Sequence, residues 1–166
     1  MIIKPIKIAD IDIVAQVAAE CFADDHFYAS LHSDREQRKE LLKKLFIESI
    51  HICILHGHAY FYESKGECIA FALWFNYNRL KKLDIKAFNH IFTSTDNHLE
   101  GKLKEELHSI ENILNGSREY FYLLAIGVTP SHRRQGIATT LVRKMLDTYP
   151  QYNFCLLYTS PSPRDP

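Results

Sequence analysis

The sequence predicts a single α/β (α+β) domain in which helices flank a sheet. Its 166 residues suit one domain that is able to bury a real core. Residues 120–146 show a strand, a loop and a helix in direct succession, and residues 59–75 show two neighbouring strand-like runs. Amphipathic helical patterns precede and follow these strands.

The composition argues against several classes of protein. The formal net charge at pH 7 is zero, so neither nucleic acid nor an acidic membrane is predicted as a partner. The N-terminus lacks the apolar stretch and cleavage site of a secretion signal. The four cysteines contain no Cys-x-x-Cys pair and are interpreted as core residues: Cys21, Cys53, Cys68 and Cys155. We therefore expect a cytoplasmic protein in a reducing compartment.

The N-terminal third is predicted to hold one short strand, at residues 2–7, and two helices. Asp10 is placed as the cap of the first helix, whose buried side comprises Ile11, Val14, Ala15, Ala18, Cys21 and Phe22. Ser33 and Glu36 fit a capping box that opens the second helix, with Leu41, Leu42, Leu45 and Phe46 turned inward. The basic residues of this helix are interpreted as a solvated outer face: Arg35, Arg38, Lys39, Lys43 and Lys44.

The middle of the chain is predicted to form a β-hairpin. Its strands cover residues 59–63 and 67–75, and Ser64, Lys65 and Gly66 form the turn. The second strand is apolar on both faces and should lie at the centre of the sheet. Residues 78–116 follow as a helical insertion, with the clearest helix after Asp96. His51, His56 and His58 have no acidic or cysteine partners at ligand spacing, so no metal site is predicted.

The segment from residue 120 to 146 predicts a site for an anion. An apolar strand ends at Val128, Pro130 breaks it, and a polar loop with Arg133, Arg134 and Gly136 leads into a helix. The unpaired N–H groups of the first helical turn and the helix dipole favour negative charge at this point. An ordinary strand–turn–helix unit with solvated arginines is the alternative interpretation.

The same segment resembles the cofactor-binding core of the GNAT family of N-acetyltransferases. The resemblance rests on Val128-x-Pro130 and Arg133-x-x-Gly136-x-Ala138 between a strand and a helix. It implies a mixed sheet and acetyl-CoA as the cosubstrate. Segments 56–63, 69–75 and 121–128 further resemble the branch that includes puromycin-type acetyltransferases.

The resemblance also implies roles for particular residues. Backbone N–H groups near Leu124 and Ala125, where the family's strand bulges, would stabilise the oxyanion. The pantetheine arm would align with Ile126, Gly127 and Val128. The pyrophosphate would be held by the loop and the helix start: Arg133, Arg134, Gln135, Gly136, Ile137, Ala138 and Thr139.

The predicted activity is transfer of an acetyl group to a primary amine of a small molecule or peptide, by direct attack in a ternary complex. A homodimer is left open, and Asp24 and Asp25 are candidates for contact with a cationic acceptor, or simply a solvated helix end. Tyr122 stands where the histone-acetylating branch has its glutamate base, and no general acid is assigned. The alternative is a non-catalytic acyl-CoA-binding module, or a non-functional fragment.

The C-terminus is predicted to be foreign. Residues 155–165 match the translation of a transposase sequencing adapter, so we assign residues 1–154 to the acetyltransferase domain and 155–166 to a non-native tail. The rival interpretation makes residues 152–159 a genuine fifth strand. On the adapter interpretation the domain lacks its C-terminal strand–helix–strand part. A chain without that part is expected to be marginally stable or unfolded in isolation, because a whole domain is stable by only about 5–15 kcal/mol.

Overall fold

The computed structural model describes residues 2–29, 32–76 and 120–155. Over these residues the elements run in the order β1 (Ile2–Pro5), α1 (Ile11–Phe22), α2 (Arg35–His56), β2 (Gly57–Ser64), β3 (Glu67–Asn76), β4 (Tyr120–Val128), α3 (Ile137–Thr148) and β5 (Asn153–Cys155). Short 3₁₀ turns precede α1 and follow β4. The predicted helical insertion at residues 78–116 and the tail beyond residue 155 lie outside the described residues.

The strands form one mixed sheet in the order β1-β2-β3-β4-β5. The first four strands pair antiparallel with their neighbours, and β5 pairs parallel with β4. The predicted fold class, a mixed sheet flanked by helices, is confirmed. Strand β3 lies in the middle, as predicted, because nine of its ten residues are buried.

Each face of the sheet is covered by helices. Helices α1 and α2 pack on one face against Phe61, Phe71 and Leu73, and α3 packs on the other against Tyr60, Trp74 and Phe121. Alternating residues of β3 therefore point into two separate cores. Phe71, Leu73 and Trp74 are completely inaccessible to solvent.

The caps of the first two helices differ from the predictions. Asp10 takes the N-cap position of α1, but its carboxylate accepts a hydrogen bond from the N–H group of Lys7 instead of capping the helix. Asp34, not Ser33, caps α2, because its carboxylate accepts from the N–H group of Gln37 at 2.8 Å. The predicted capping box is therefore wrong by one residue, and Glu36 pairs with Lys39.

The basic run of α2 is not a solvated face. Arg38 is buried, and its guanidinium donates hydrogen bonds to the carbonyl groups of Ala23 and His32. Three further residues of the run make ion pairs to α1 or to the chain just after it: Arg35 with Glu20 and Asp24, Lys39 with Glu20, and Lys43 with Asp12. Lys39 and Arg35 together lower the pKa of Glu20. A solvated surface was predicted because the sequence pattern does not show which helix lies alongside.

The β2–β3 turn is tighter than predicted. Ser64 pairs with Glu67, so the loop consists of Lys65 and Gly66 alone, with φ angles of 52° and 84°. Two consecutive residues with positive φ are the signature of a type I′ turn, whose twist matches that of the strands.

Strand β5 joins the sheet at the start of β4. Asn153, Phe154 and Cys155 pair with Tyr120, Phe121 and Tyr122. The ring of Phe154 packs edge-on against Trp74, with the ring centroids 5.7 Å apart. Strand β5 thus follows α3 and lies parallel to β4, which is the place where the resemblance implies a second parallel strand.

The helices and the cysteines can be compared with the expectation of a protein in a reducing compartment. Within the described residues, no helix is long and apolar enough to cross a membrane. Cys53 and Cys68 are buried thiols, in agreement with their interpretation as core residues, whereas Cys21 is only partly buried.

We predict that Arg38→Ala lowers the free energy of unfolding by about 2–3 kcal/mol. The substitution removes two hydrogen bonds from a charged donor and leaves the carbonyl groups of Ala23 and His32 without that donor. Urea denaturation measures the change. Lys44→Ala is the matched control, since Lys44 is exposed on the same helix, and should change the stability by less than about 0.5 kcal/mol. Equal effects of the two substitutions would contradict the conclusion that the hydrogen bonds from Arg38 to Ala23 and His32 stabilise the fold.

Candidate functional site

An open cleft of about 420 Å³ lies between the end of α1 and the segment that joins β4 to α3. Cys21, Phe22 and Asp25 line it from the α1 side. The opposite side is formed by the end of β4, the loop and the first turn of α3: Ile126, Gly127, Val128, His132, Arg133, Arg134, Gly136, Ile137, Ala138 and Thr139.

The closeness of the two walls depends on Gly127. A Cβ atom at this position would lie 2.5 Å from Cε1 of Phe71 and 3.1 Å from Cβ of Cys21. The first distance is far too short and the second is tight, so a side chain at this position would require the ring of Phe71 to move and α1 to give way slightly.

The loop after β4 turns the chain through two left-handed residues. Arg134 has a φ of 62° and Gly136 a φ of 74°. Gly136 is the N-cap of α3, and no side chain caps the helix there. The N–H groups of the first turn have no intrahelical acceptors, so they remain available to an anion in the cleft, where the helix dipole adds partial positive charge.

The two arginines of the loop are placed differently. The Nε–H group of Arg133 donates to the carbonyl of Val128 at 3.2 Å, and Nη2 donates to the carbonyl of Cys21 at 3.4 Å. Arg134 is exposed and lines the cleft. Both carry a full positive charge beside the helix start, where a phosphate group would be favoured.

Nine of the ten residues predicted to bind the cofactor line this one cleft. The exception is Gln135, which is exposed and whose amide Nε2 lies 3.5 Å from the carbonyl of Ser131. The sequence could predict that these nine residues lie together, because they all belong to one continuous strand–loop–helix segment.

Strand β4 carries an extra residue at Leu124. Leu73 of β3 pairs with Ala125 and the next residue, Trp74, pairs with Leu123, so Leu124 has no opposite partner. Such a bulge turns backbone groups out of the regular ladder. Leu124 and Ala125 lie next to Ile126 along β4 but do not line the cleft.

Four residues of the cleft were not predicted to bind the cofactor: Cys21, Phe22, Asp25 and His132. Helical spacing placed Cys21 and Phe22 on a buried face, and this pattern cannot tell a core from a cleft wall. His132 belongs to the basic loop, and its Nδ1 atom lies 3.0 Å from the hydroxyl oxygens of both Thr129 and Ser131. Burial raises the pKa of the Cys21 thiol to about 12, although Arg133 acts in the opposite direction.

The two neighbouring aspartates have different surroundings. Asp24 forms an ion pair with Arg35, and the hydrogen bond from that guanidinium lowers the pKa of its carboxyl group. Asp25 lines the cleft and accepts a hydrogen bond from the N–H group of Phe27 at 2.8 Å. Of the two, Asp25 has the better position for contact with a bound molecule.

The remaining candidates lie away from the cleft. Tyr122 is buried in the core beneath α1 and α2. His58 stacks on Tyr149 with the ring centroids 4.4 Å apart. Among residues 2–29, 32–76 and 120–155, no group of three His, Cys, Asp or Glu side chains could hold a metal ion.

Solved structures with similar folds exist, although no curated protein sequence matches significantly. One is from Corynebacterium glutamicum, described as histone acetyltransferase HPA2 and related acetyltransferase. It aligns with a TM-score of 0.66 at 19% identity, over 95% of this chain and 76% of that one. Another is an N-acetyltransferase from Staphylococcus aureus Mu50, with a TM-score of 0.59 at 15% identity, over 94% of this chain and 80% of that one. At such low identity these likenesses show the fold.

A family model settles the classification. The model of the acetyltransferase (GNAT) family matches residues 18–163, which is most of the 166-residue chain and includes the whole loop around the cleft. Members of this family are acyltransferases that use acetyl-CoA. The chain therefore belongs to the acetyltransferase (GNAT) family.

Proposed function

We propose that this protein is an N-acetyltransferase that moves an acetyl group from acetyl-CoA to a primary amine of a small molecule or peptide. The observation that carries the proposal is the cleft, in which an uncapped helix start, two arginines and the end of β4 meet. This combination suits a ligand with a phosphate group at one end and an extended arm at the other.

The phosphate end is assigned to the loop and the helix start. The backbone N–H groups of residues 131–139 are proposed to hold the anion, which gains from the helix dipole, and Arg133 and Arg134 add full charges. The residues proposed to bind the pyrophosphate are Arg133, Arg134, Gln135, Gly136, Ile137, Ala138 and Thr139. Gly136 has open space beside its Cα atom, so the backbone can approach the ligand closely.

The extended arm is assigned to the end of β4. Ile126, Gly127 and Val128 line the cleft, and a pantetheine arm can pair with their backbone groups as a further strand would. On the same strand, the bulge at Leu124 supports the proposal that N–H groups of Leu124 and Ala125 face the developing oxyanion.

The amine is proposed to attack the thioester directly. The alternative is a covalent acyl-enzyme, which would need a thiolate in the cleft. Cys21 lines the cleft, but with a pKa of about 12 its thiol stays protonated at neutral pH and is a poor nucleophile. A ternary complex of protein, acetyl-CoA and amine needs no such nucleophile.

The acceptor amine is proposed to approach as a cation and to lose its proton to water. Asp25 places a carboxylate at the cleft wall, which favours a positively charged acceptor. Tyr122 replaces the glutamate of the histone-acetylating branch and lies buried in the core, so a water relay is the route that we propose for the proton. The free thiols of Cys21, Cys53 and Cys68 agree with a reducing, cytoplasmic location.

The second candidate is a non-catalytic acyl-CoA-binding module. Position 122 holds a tyrosine instead of the glutamate base, and this favours the binding module, because a protein that only binds acyl-CoA needs no catalytic base. Both candidates predict binding of CoA, and only the enzyme predicts transfer.

We predict that Arg133→Ala together with Arg134→Ala weakens CoA binding by at least about tenfold, because two charges beside the pyrophosphate are lost. Isothermal titration calorimetry measures the affinity. The matched control is Arg143→Ala with Lys144→Ala, which removes two exposed charges from α3 and should leave the affinity nearly unchanged. Unchanged affinity in the loop variant would show that the pyrophosphate lies elsewhere.

We also predict that acetyl-CoA releases free CoA thiol faster when a suitable amine is present. A colorimetric thiol assay with a panel of amines, including polyamines, aminoglycosides and short peptides, measures the rate. A protein that binds CoA with normal affinity but shows no amine-dependent release over the panel would favour the binding module.

A further inference from the structure

One guanidinium connects the two walls of the cleft. Arg133 donates from Nε to the carbonyl of Val128, the last residue of β4, and from Nη2 to the carbonyl of Cys21, in the last turn of α1. Cys21 and Arg133 are 112 residues apart in sequence, so this is a tertiary contact and not a local turn.

The carbonyl of Cys21 is a favourable acceptor for such a cation. The last four carbonyl groups of a helix lack intrahelical N–H partners and carry the negative end of the helix dipole. Arginine can serve two carbonyls at once, because its planar group carries five N–H donors in a fixed arrangement.

Arg134 has a different environment. Its backbone is left-handed, with a φ of 62°, whereas that of Arg133 is extended, with φ −65° and ψ 159°. Within the described part of the chain, no hydrogen bond or ion pair engages its guanidinium, and it lines the cleft. Its charge is therefore available to a ligand, whereas that of Arg133 is already shared between two carbonyl groups.

We propose that Arg133 is a positioning residue that holds α1 against β4, while Arg134 makes the direct charge contact with the phosphate group of the ligand. The proposal rests on the proposed cofactor site and divides the roles of its two arginines. In this arrangement Arg133 supports binding through the geometry of the cleft, and its hydrogen-bond donors matter more than its charge.

Lysine separates these two contributions. Its ammonium group keeps the positive charge but lacks the planar fork with which arginine reaches two carbonyl groups, so Arg133→Lys keeps the charge and loses the connection between Val128 and Cys21. Arg134→Lys keeps the charge that the ligand is proposed to need. Alanine at either position removes both donors and charge.

The test compares CoA affinities of the four single variants by titration calorimetry. We expect Arg133→Ala and Arg133→Lys both to bind about tenfold more weakly than the unmodified protein. Arg134→Lys should bind at least about threefold more tightly than Arg134→Ala. The proposal is overturned if Arg133→Lys binds as tightly as the unmodified protein, since the charge of Arg133 would then be what the ligand contacts.

Hydrogen exchange in the absence of ligand gives a second readout that does not depend on the proposed function. Arg133→Ala should speed amide exchange in the last turn of α1, at residues 19–22, and Arg134→Ala should not. If the unmodified protein binds no CoA, the proposed function fails, and exchange alone decides about Arg133. Unchanged exchange in Arg133→Ala would overturn the positioning role.

Discussion

Helix α1 packs against strand β4 at Gly127, where an added Cβ atom would force its neighbours to shift. That atom would lie 2.5 Å from the ring of Phe71 on β3 and 3.1 Å from Cβ of Cys21 on α1. Because α1 ends at Phe22, one residue after this contact, the space beyond it opens into the cleft. The same closeness brings the carbonyl of Cys21 within reach of Arg133. The width of the cleft thus follows from a packing contact in the core.

The loop above this contact has an unusual backbone. A residue other than glycine in the left-handed region costs on the order of 1 kcal/mol, and such residues concentrate at functional sites. Arg134 adopts this conformation two residues before Gly136, which adopts it as well. These two left-handed residues stand directly before the start of α3, which lines the cleft. Positive charge and left-handed backbone therefore coincide at the cleft.

Local patterns predicted the fold and most of the site, and tertiary contacts account for what they missed. The strand at β4, the central position of β3 and nine of the thirteen residues that line the cleft follow from signals within a few residues of one another. The burial of Arg38 and the ion pairs of Arg35 depend on the neighbouring helix, which periodicity does not reveal. The sequence did not predict that Cys21 and Phe22 line the cleft, because the spacing of apolar residues is the same whether a helix face packs on a core or borders a cleft.

We propose that CoA binds in the cleft between α1 and the β4–α3 loop. Backbone amide NMR tests this binding most directly. In a titration of the ¹⁵N-labelled protein with CoA, the amide signals of Gly127 and Gly136 should shift most, because both residues line the cleft. The amide signal of Gly66, in the β2–β3 turn, should stay in place and serves as the internal control. Shifts centred on Gly66, with Gly127 and Gly136 unchanged at saturating CoA, would contradict the account.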